Sequence, residues 1–227
     1  MKNIIIVPAK GDSKRFPRKN WMELGGDTLF ELALFRAKKS GLGKVMFASD
    51  SMPMIDKVEK RVFLSDYVCL LPGEFSEKRA VNACVYVLEK FKRDGTEFNN
   101  IIVTLPTSPL ATESHLQEAY EKFVDYNMKT VASFTPVEGR PLLWEHEKIG
   151  ISEFMKSLLD ENAKPKKVYR DNGAVYISIV ERFLRKQEWF DHYVVPYFMD
   201  GVGGIDIDTE LDYLMAKTIY ETKESAD

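Results

Sequence analysis

The sequence predicts an α/β protein built on a mainly parallel β-sheet, and three observations lead there. Short apolar runs alternate with amphipathic segments from the first residues onward, the pattern of consecutive β-α-β units. The first run, Ile4-Ile5-Ile6-Val7, is continuously apolar, as a strand buried on both faces requires. The 227 residues carry 44% hydrophobic and 30% charged side chains, which excludes a disordered or fibrous chain. That length suits one domain over residues 1–227, with room for a small appendage.

After the strand Ile4–Val7 comes an unusually long polar stretch from Pro8 to Asn20. Thr28–Ser40 sets Leu29, Leu32, Ala33 and Phe35 in helical rhythm and ends before Gly41, a good helix stop. Val45–Ala48 reads as the next strand, ending in Ser49-Asp50, and Pro53–Arg61 as a short helix. Glu77–Lys92 is a long helix with Ala80, Cys84, Val87, Leu88 and Phe91 on one face. Asn100–Leu105 is a strand, residues 113–126 a helix, and Thr130–Phe134 a strand of β-branched and small residues. From Pro136 to about Lys167 the rhythm breaks down, and this stretch reads as an excursion from the sheet. Ala174–Ile179 and Val194–Met199 return to strand pattern, followed by a glycine-rich turn, a strand Ile205–Asp208 and a closing helix from Glu210 to about Glu221.

Thirty-two basic against thirty-five acidic side chains leave a net charge of −3, so nothing draws the whole molecule to nucleic acid or to an anionic membrane. Cys69 and Cys84 form no C-x-x-C spacing, which argues against a cysteine zinc site or disulfide framework and fits a reducing cytoplasm. No apolar run approaches the ~20 residues that cross a bilayer, so a soluble, cytoplasmic protein is expected.

In open α/β sheets ligands gather beyond the carboxyl ends of the strands. The loop there after the first strand, KGDSKRFPRK, holds Lys10, Lys14, Arg15, Arg18 and Lys19 against one acid, Asp12. Gly11, Ser13 and exposed backbone amides complete a surface suited to a polyphosphate, although neither the P-loop nor the dinucleotide glycine pattern is present. The alternative is a solvated basic loop. Asp206 and Asp208 stand two apart, so on an extended backbone both carboxylates leave the same face and form a hard-oxygen site for Mg²⁺. The competing role is helix capping, since Thr209-x-x-Asp212 has the form of a capping box. Pro106-Thr107-Ser108-Pro109-Leu110 is a rigid loop, and Arg170-Asp171-Asn172-Gly173 precedes a strand with an arginine able to grip a carboxylate or phosphate. His115, His146 and His192 show no ligand spacing.

Taken in order, PAKGDSKRFPRKN, SD, PTSPL, RDNGAVYI and IDIDTELD resemble the motifs of the acylneuraminate cytidylyltransferase family over nearly the whole chain. The resemblance implies a Rossmann-like α/β sheet of the nucleotide-diphospho-sugar transferase type, with an excursion at about 136–190 used for homodimerisation. It implies transfer from CTP to a nonulosonic, sialic-acid-like sugar, giving a CMP-sugar and pyrophosphate. Carried over by position, it implies that Ala9, Gly11, Ser13, Lys14, Lys19 and Asn20 hold the nucleotide. It further implies that Asp206 and Asp208 ligate Mg²⁺, that Lys10, Lys19 and Asp208 are catalytic, and that Arg170, Asn172, Tyr176, Trp189 and Phe190 contact the sugar.

Several positions depart from the family pattern. Its loop arginine is Lys10, and the arginine near the base is Leu71. An aspartate is replaced by Lys78, the glutamine before PTSPL by Leu105, the following arginine by Ala111, and a lysine in the excursion by Leu143, with Arg140 nearby. Each lost charge-assisted contact would forfeit roughly 1.5 to 3 kcal/mol with an unchanged substrate. Two alternatives therefore stand beside the main reading: a sister transferase using another nucleotide or a sugar phosphate, and a nucleotide-sensing subunit of the same fold without turnover.

Overall fold

The computed structural model describes residues 2–137, 167–190 and 193–224. Seven strands form the sheet: β1 (Asn3–Ala9), β4 (Lys44–Ser49), β5 (Tyr67–Leu70), β6 (Asn100–Val103), β7 (Val131–Pro136), β8 (Tyr169–Ile179) and β9 (Val195–Phe198), in the spatial order β5-β4-β1-β6-β8-β7-β9. β5, β4, β1 and β6 run parallel, β8 lies antiparallel between β6 and β7, and β9 runs parallel to β7. A two-stranded ribbon, β2 (Glu23–Leu24) with β3 (Asp27–Thr28), follows the basic loop. The helices are α1 (Leu29–Ser40), α2 (Met52–Glu59), α3 (Ala80–Arg93), α4 (Glu113–Asp125), α5 (Val180–Lys186) and α6 (Glu210–Glu224).

β1 is buried along its full length, and its alternation divides the core. Ile5 and Val7 join Phe30, Leu34, Phe47 and Phe123 on one face of the sheet, while Ile4 and Ile6 join Cys84, Val87 and Leu88 on the other. A continuous apolar run is what a central strand with helices on both faces demands. Its carboxyl end, beside those of β4 and β6, is where the basic loop begins.

The structure differs from the sequence expectation at several elements. Tyr67–Leu70 forms an edge strand that four residues of mixed pattern do not announce, and Val180–Lys186 is a helix that the reading passed over. The long helix starts at Ala80, because Gly73–Glu77 winds into a separate 3-10 turn. Strand β8 begins at Tyr169, so Arg170 to Gly173 belong to the strand and do not precede it. Gly173 has φ of 69°, a left-handed conformation that suits glycine, and the pairing register with β7 shifts around it. Ile205–Asp208 is not a strand; one backbone bond, Ile207 N–H to the Thr107 carbonyl at 2.7 Å, fixes it beside the loop after β6. Most of the irregular stretch after Pro136, with Arg140, Leu143 and His146, lies outside the described residues, as does His192. No helix among the described residues is long and apolar enough to cross a membrane.

Helix α1 starts on a buried charge. Glu31 is fully buried and accepts hydrogen bonds from Thr28 N–H at 3.0 Å and Thr28 Oγ1 at 2.6 Å, while Lys57 and Arg61 pair with it at 2.8 and 2.7 Å. Burial works against its charged form, but bonds from Lys57, Thr28 and Arg61 outweigh it and hold the carboxyl down at about 2. This stability is present above the ordinary carboxyl value and is lost as pH falls through the folded one. Glu31→Gln should lower the unfolding free energy at neutral pH by about 2 kcal/mol, the cost of leaving Lys57 without its anion and Arg61 with Asp27 alone. Urea titrations should show the gap from wild type narrowing as pH falls towards about 2; a gap constant with pH would contradict this account.

Candidate active site

The loop leaving β1 is organised by its own acid. Asp12 Oδ1 accepts the backbone N–H groups of Ser13 at 2.8 Å and Arg18 at 2.9 Å, and the Arg18 and Ser13 bonds lower its pKa. Gly11 N–H donates to Asp50 Oδ1 at 2.7 Å, joining the loop to the end of β4. A Cβ at Gly11 would lie 2.7 Å from Ser51 Cβ, so this approach excludes any larger residue. The result is an open groove of about 640 Å³ lined by Lys10, Asp12, Ser13, Lys14, Arg15 and Glu77, among others.

Two residues of this loop turn inward. Lys19 is buried, and its Nζ donates to the Ile207 carbonyl at 2.5 Å and to Asp208 Oδ1 at 3.0 Å. Arg15 Nη1 reaches Asp208 Oδ2 at 2.7 Å. Cations from the front of the chain and an acid from near its tail, 189 positions apart in the Lys19 pair, thus meet in space. Asn20 is also buried; its Nδ2 donates to the Lys10 carbonyl at 2.8 Å, while its Oδ1 has no partner among the described residues. A buried acceptor left unmatched costs free energy, and a ligand donor would satisfy it.

Beside the acid pair, geometry shows which residues cap α6. Thr209 N–H and Oγ1 both bond Asp212 Oδ2 at 2.8 Å, and Asp212 N–H returns to Thr209 Oγ1 at 3.3 Å, so the capping box belongs to Thr209 and Asp212. Asp208 is left to face Lys19 and Arg15. Asp206 has its pKa raised by burial and by the neighbouring Asp208, against a lowering bond from the Thr107 hydroxyl.

The sugar-side candidates divide into outward and inward groups. Arg170 is exposed on β8, and Phe190 is 46% exposed, with Phe134 and Tyr176 as ring neighbours. Asn172 is completely buried: its Oδ1 accepts from Ser133 Oγ at 2.5 Å and Ala174 N–H at 3.1 Å, and its Nδ2 donates to Thr135 Oγ1 at 2.7 Å. Those bonds make it a brace between β7 and β8. Trp189 is packed between Tyr176 and Phe183, at ring distances of 5.0 and 4.3 Å, and the Tyr176 hydroxyl donates to Asp171 at 2.6 Å. Lys14 is largely exposed and pairs with Glu77, and Ala9 ends β1 as a buried residue.

Leu71 is buried against a small cavity of about 50 Å³ that Pro8, Ala9, Lys10, Phe75 and Ala80 also line. Lys78, at its rim, pairs with Glu74 at 2.6 Å and lies over the Phe75 ring. Thr107, Asp50 and the structural role of Asp12 were missed by sequence reasoning. The rigid PTSPL loop was the available signal for Thr107, but its contact with Asp206 depends on a tertiary approach.

The sequence model described as cytidylyltransferase matches residues 4–221. The chain is 28% identical to the N-acylneuraminate cytidylyltransferase of Streptococcus agalactiae serotype V over 221 residues, 94% of this chain and 52% of that protein. It is 26% identical over 234 residues to the pseudaminic acid cytidylyltransferase of Campylobacter jejuni, covering 100% of this chain and 99% of the relative. It is 23% identical over 240 residues to the CMP-N,N'-diacetyllegionaminic acid synthase of Legionella pneumophila, with 100% and 99% covered. The chain thus spans about half of the streptococcal relative and nearly all of the other two. The fold is shared with CMP:2-keto-3-deoxy-manno-octonic acid synthetase complexed with CTP, at a TM-score of 0.74, 13% identity, and coverage of 98% of this chain and 100% of that one. With a family match over nearly its full length and a sheet whose carboxyl edge brings a basic loop to an acid pair, the chain belongs to the cytidylyltransferase family.

Proposed function

We propose that this chain transfers the cytidylyl group of CTP to a nonulosonic sugar in a magnesium-dependent reaction that releases pyrophosphate. The observation that carries the reading is the meeting of Lys19 and Arg15 with Asp208 at the edge of the basic groove. The relatives named for N-acylneuraminate, pseudaminic acid and diacetyllegionaminic acid support the choice of substrate class. In the proposed reaction the sugar's anomeric hydroxyl oxygen bonds to the α-phosphorus, the bond from that phosphorus to the bridging oxygen breaks, and pyrophosphate leaves with the electron pair while the hydroxyl loses its proton.

Each part of the groove has a task in this reading. Lys10, Ser13 and Lys14 line the space for the triphosphate, and charge there stabilises a transition state rich in phosphate oxygens. The unmatched Asn20 Oδ1 suits a hydroxyl or amino donor of the nucleoside. Lys19 holds the backbone at Ile207 and the Asp208 carboxylate in one place, so positioning precedes chemistry. Arg170 is exposed for a sugar carboxylate.

The donor chemistry at Asp206 and Asp208 fits a hard divalent ion. Two carboxylate oxygens leave the remaining positions to water and phosphate, as Mg²⁺ prefers. Asp206 is disfavoured as an anion by burial and by Asp208, a condition that a cation relieves. Arg15 is 71% exposed, so its pair with Asp208 is a weak surface pair that a divalent ion can displace. When bound, the ion would neutralise charge on the phosphate oxygens and favour departure of pyrophosphate.

A second reading keeps the chemistry and changes the base or the sugar, and the apolar cavity around Leu71 favours it, with Lys78 already paired to Glu74. Pyrophosphate release across the four nucleoside triphosphates, each offered nonulosonic acids and sugar 1-phosphates, separates the two. Release with CTP and a sugar acid supports the main reading; release only with another pair supports the second. No release with any pair, together with tight CTP binding, would leave a sensing subunit.

Asp208→Asn and Lys19→Met should each lower kcat by about 100-fold, the scale for removing a preorganised charge at a transition state. Arg15→Ala should cost less than about tenfold, because its pair is exposed. Equal effects of all three in steady-state assays would count against the division of roles drawn here. Asn20→Ala should raise the KM for CTP by about tenfold, the value of one hydrogen bond to a buried acceptor, with kcat changed little. A fall in kcat at unchanged KM would remove Asn20 from the nucleoside subsite.

A further inference from the structure

The loop after β6 is held from behind by one buried cation. Arg36, on α1, is 4% exposed, and its whole guanidinium is spent on residues 104–111. Nε and Nη2 donate to Thr104 Oγ1 at 3.1 and 2.8 Å, Nη1 to the carbonyls of Ser108 and Ala111 at 2.8 and 3.0 Å, and Nη2 to the Leu105 carbonyl at 3.1 Å. Pro106 and Pro109 remove two N–H donors from this stretch, so its inward carbonyls need donors from elsewhere. A planar fork of five N–H groups can reach several oxygens at once, where a lysine offers only a point charge on a flexible stem. Burial lowers the Arg36 pKa to about 10, against the attraction of Glu113. The nearest balancing groups are therefore carbonyl and hydroxyl dipoles, an expensive arrangement if filling the core were its whole purpose.

The other side of the same loop touches both halves of the site. The Thr107 carbonyl accepts from Ile207 N–H at 2.7 Å, which fixes the backbone between Asp206 and Asp208, and the Thr107 hydroxyl is one of the groups that lower the Asp206 pKa. Ser108 Oγ donates to the Asn172 carbonyl at 2.9 Å, and Leu105 N–H reaches the Gly173 carbonyl at 3.4 Å. We propose that Arg36 is a positioning residue: by clamping residues 104–111 it holds Thr107, on whose carbonyl Ile207 is docked, and so orients the adjacent Asp206 carboxylate for a divalent ion. The inference rests on the transferase reading for its consequence in turnover, but orientation of the carboxylate can be measured without turnover.

The test is a double-mutant cycle of Arg36→Lys and Thr107→Val, read by Mn²⁺ titration followed by electron paramagnetic resonance, with and without CTP. Each single variant should raise the Mn²⁺ dissociation constant by about tenfold, the low end for disturbing the group that orients a metal ligand. The double variant should be no worse than the weaker-binding single one, because both act through the same carboxylate. Thr104→Val, which removes two of the guanidinium's bonds and keeps its volume, should give a smaller rise and covers the case in which Arg36→Lys fails to fold. A residue that served only the fold would lower the melting midpoint and leave Mn²⁺ affinity unchanged; that result in folded Arg36→Lys, or in Thr104→Val, overturns the proposal. Wild-type Mn²⁺ affinity in Thr107→Val, or full additivity in the double variant, overturns it as well. If the cycle behaves as expected while the wild type releases no pyrophosphate with any substrate pair, the transferase reading fails and the positioning role stands.

Discussion

One buried ammonium joins the two ends of the chemistry. Lys19 leaves the first loop, enters the protein and closes on the Ile207 carbonyl and the Asp208 carboxylate. An ammonium taken out of water needs an anion and further acceptors nearby, and here both come from the last loop before α6. That requirement ties the place of the basic loop to the place of the acids. Without it Asp206 and Asp208 would have less positive charge nearby to offset them.

The rest of the site is built outward from this contact by backbone. Asp12 curls the basic loop by accepting two of its N–H groups, Gly11 lets it approach Asp50, and Ile207 is docked on Thr107. Each is a short, directional bond made by residues outside regular strands, on a sheet whose centre is packed on both faces. Rigid β1 and β6 supply a fixed edge, and the loops carry the polar groups. Leu71, Leu105 and Ala111 stand where the resembling family has charged or amide side chains, and all three are accommodated by apolar packing or backbone contacts.

Several of the residues expected on the sugar side have structural contacts of their own. Asn172 and Trp189 match family positions by order in the chain, yet Asn172 spends its amide bracing β7 to β8 and Trp189 stacks between Tyr176 and Phe183. Arg170, Asp171 and Phe190 lie at the surface of the same region. Among these, Asp171 belongs to a segment expected to precede the strand, and the structure places it on β8, where its carboxylate accepts from the Tyr176 hydroxyl.

Local pattern was enough to reveal the central sheet, the amphipathic helices, the concentration of cations after β1 and the spaced acids near the end, because apolar periodicity and charge density are written in consecutive residues. Short edge strand β5 and helix α5 carry too few residues for a period to emerge, and Ile205–Asp208 looked like a strand because alternation cannot tell whether a partner strand is present. By itself the sequence determined the class of fold and the two concentrations of charge, basic after β1 and acidic before the last helix. Only the tertiary structure decided that Asp208 faces Lys19 and that Arg36 lies behind the loop at Thr107, because hydrogen bonds between residues 189 and 72 positions apart depend on how the strands and helices pack.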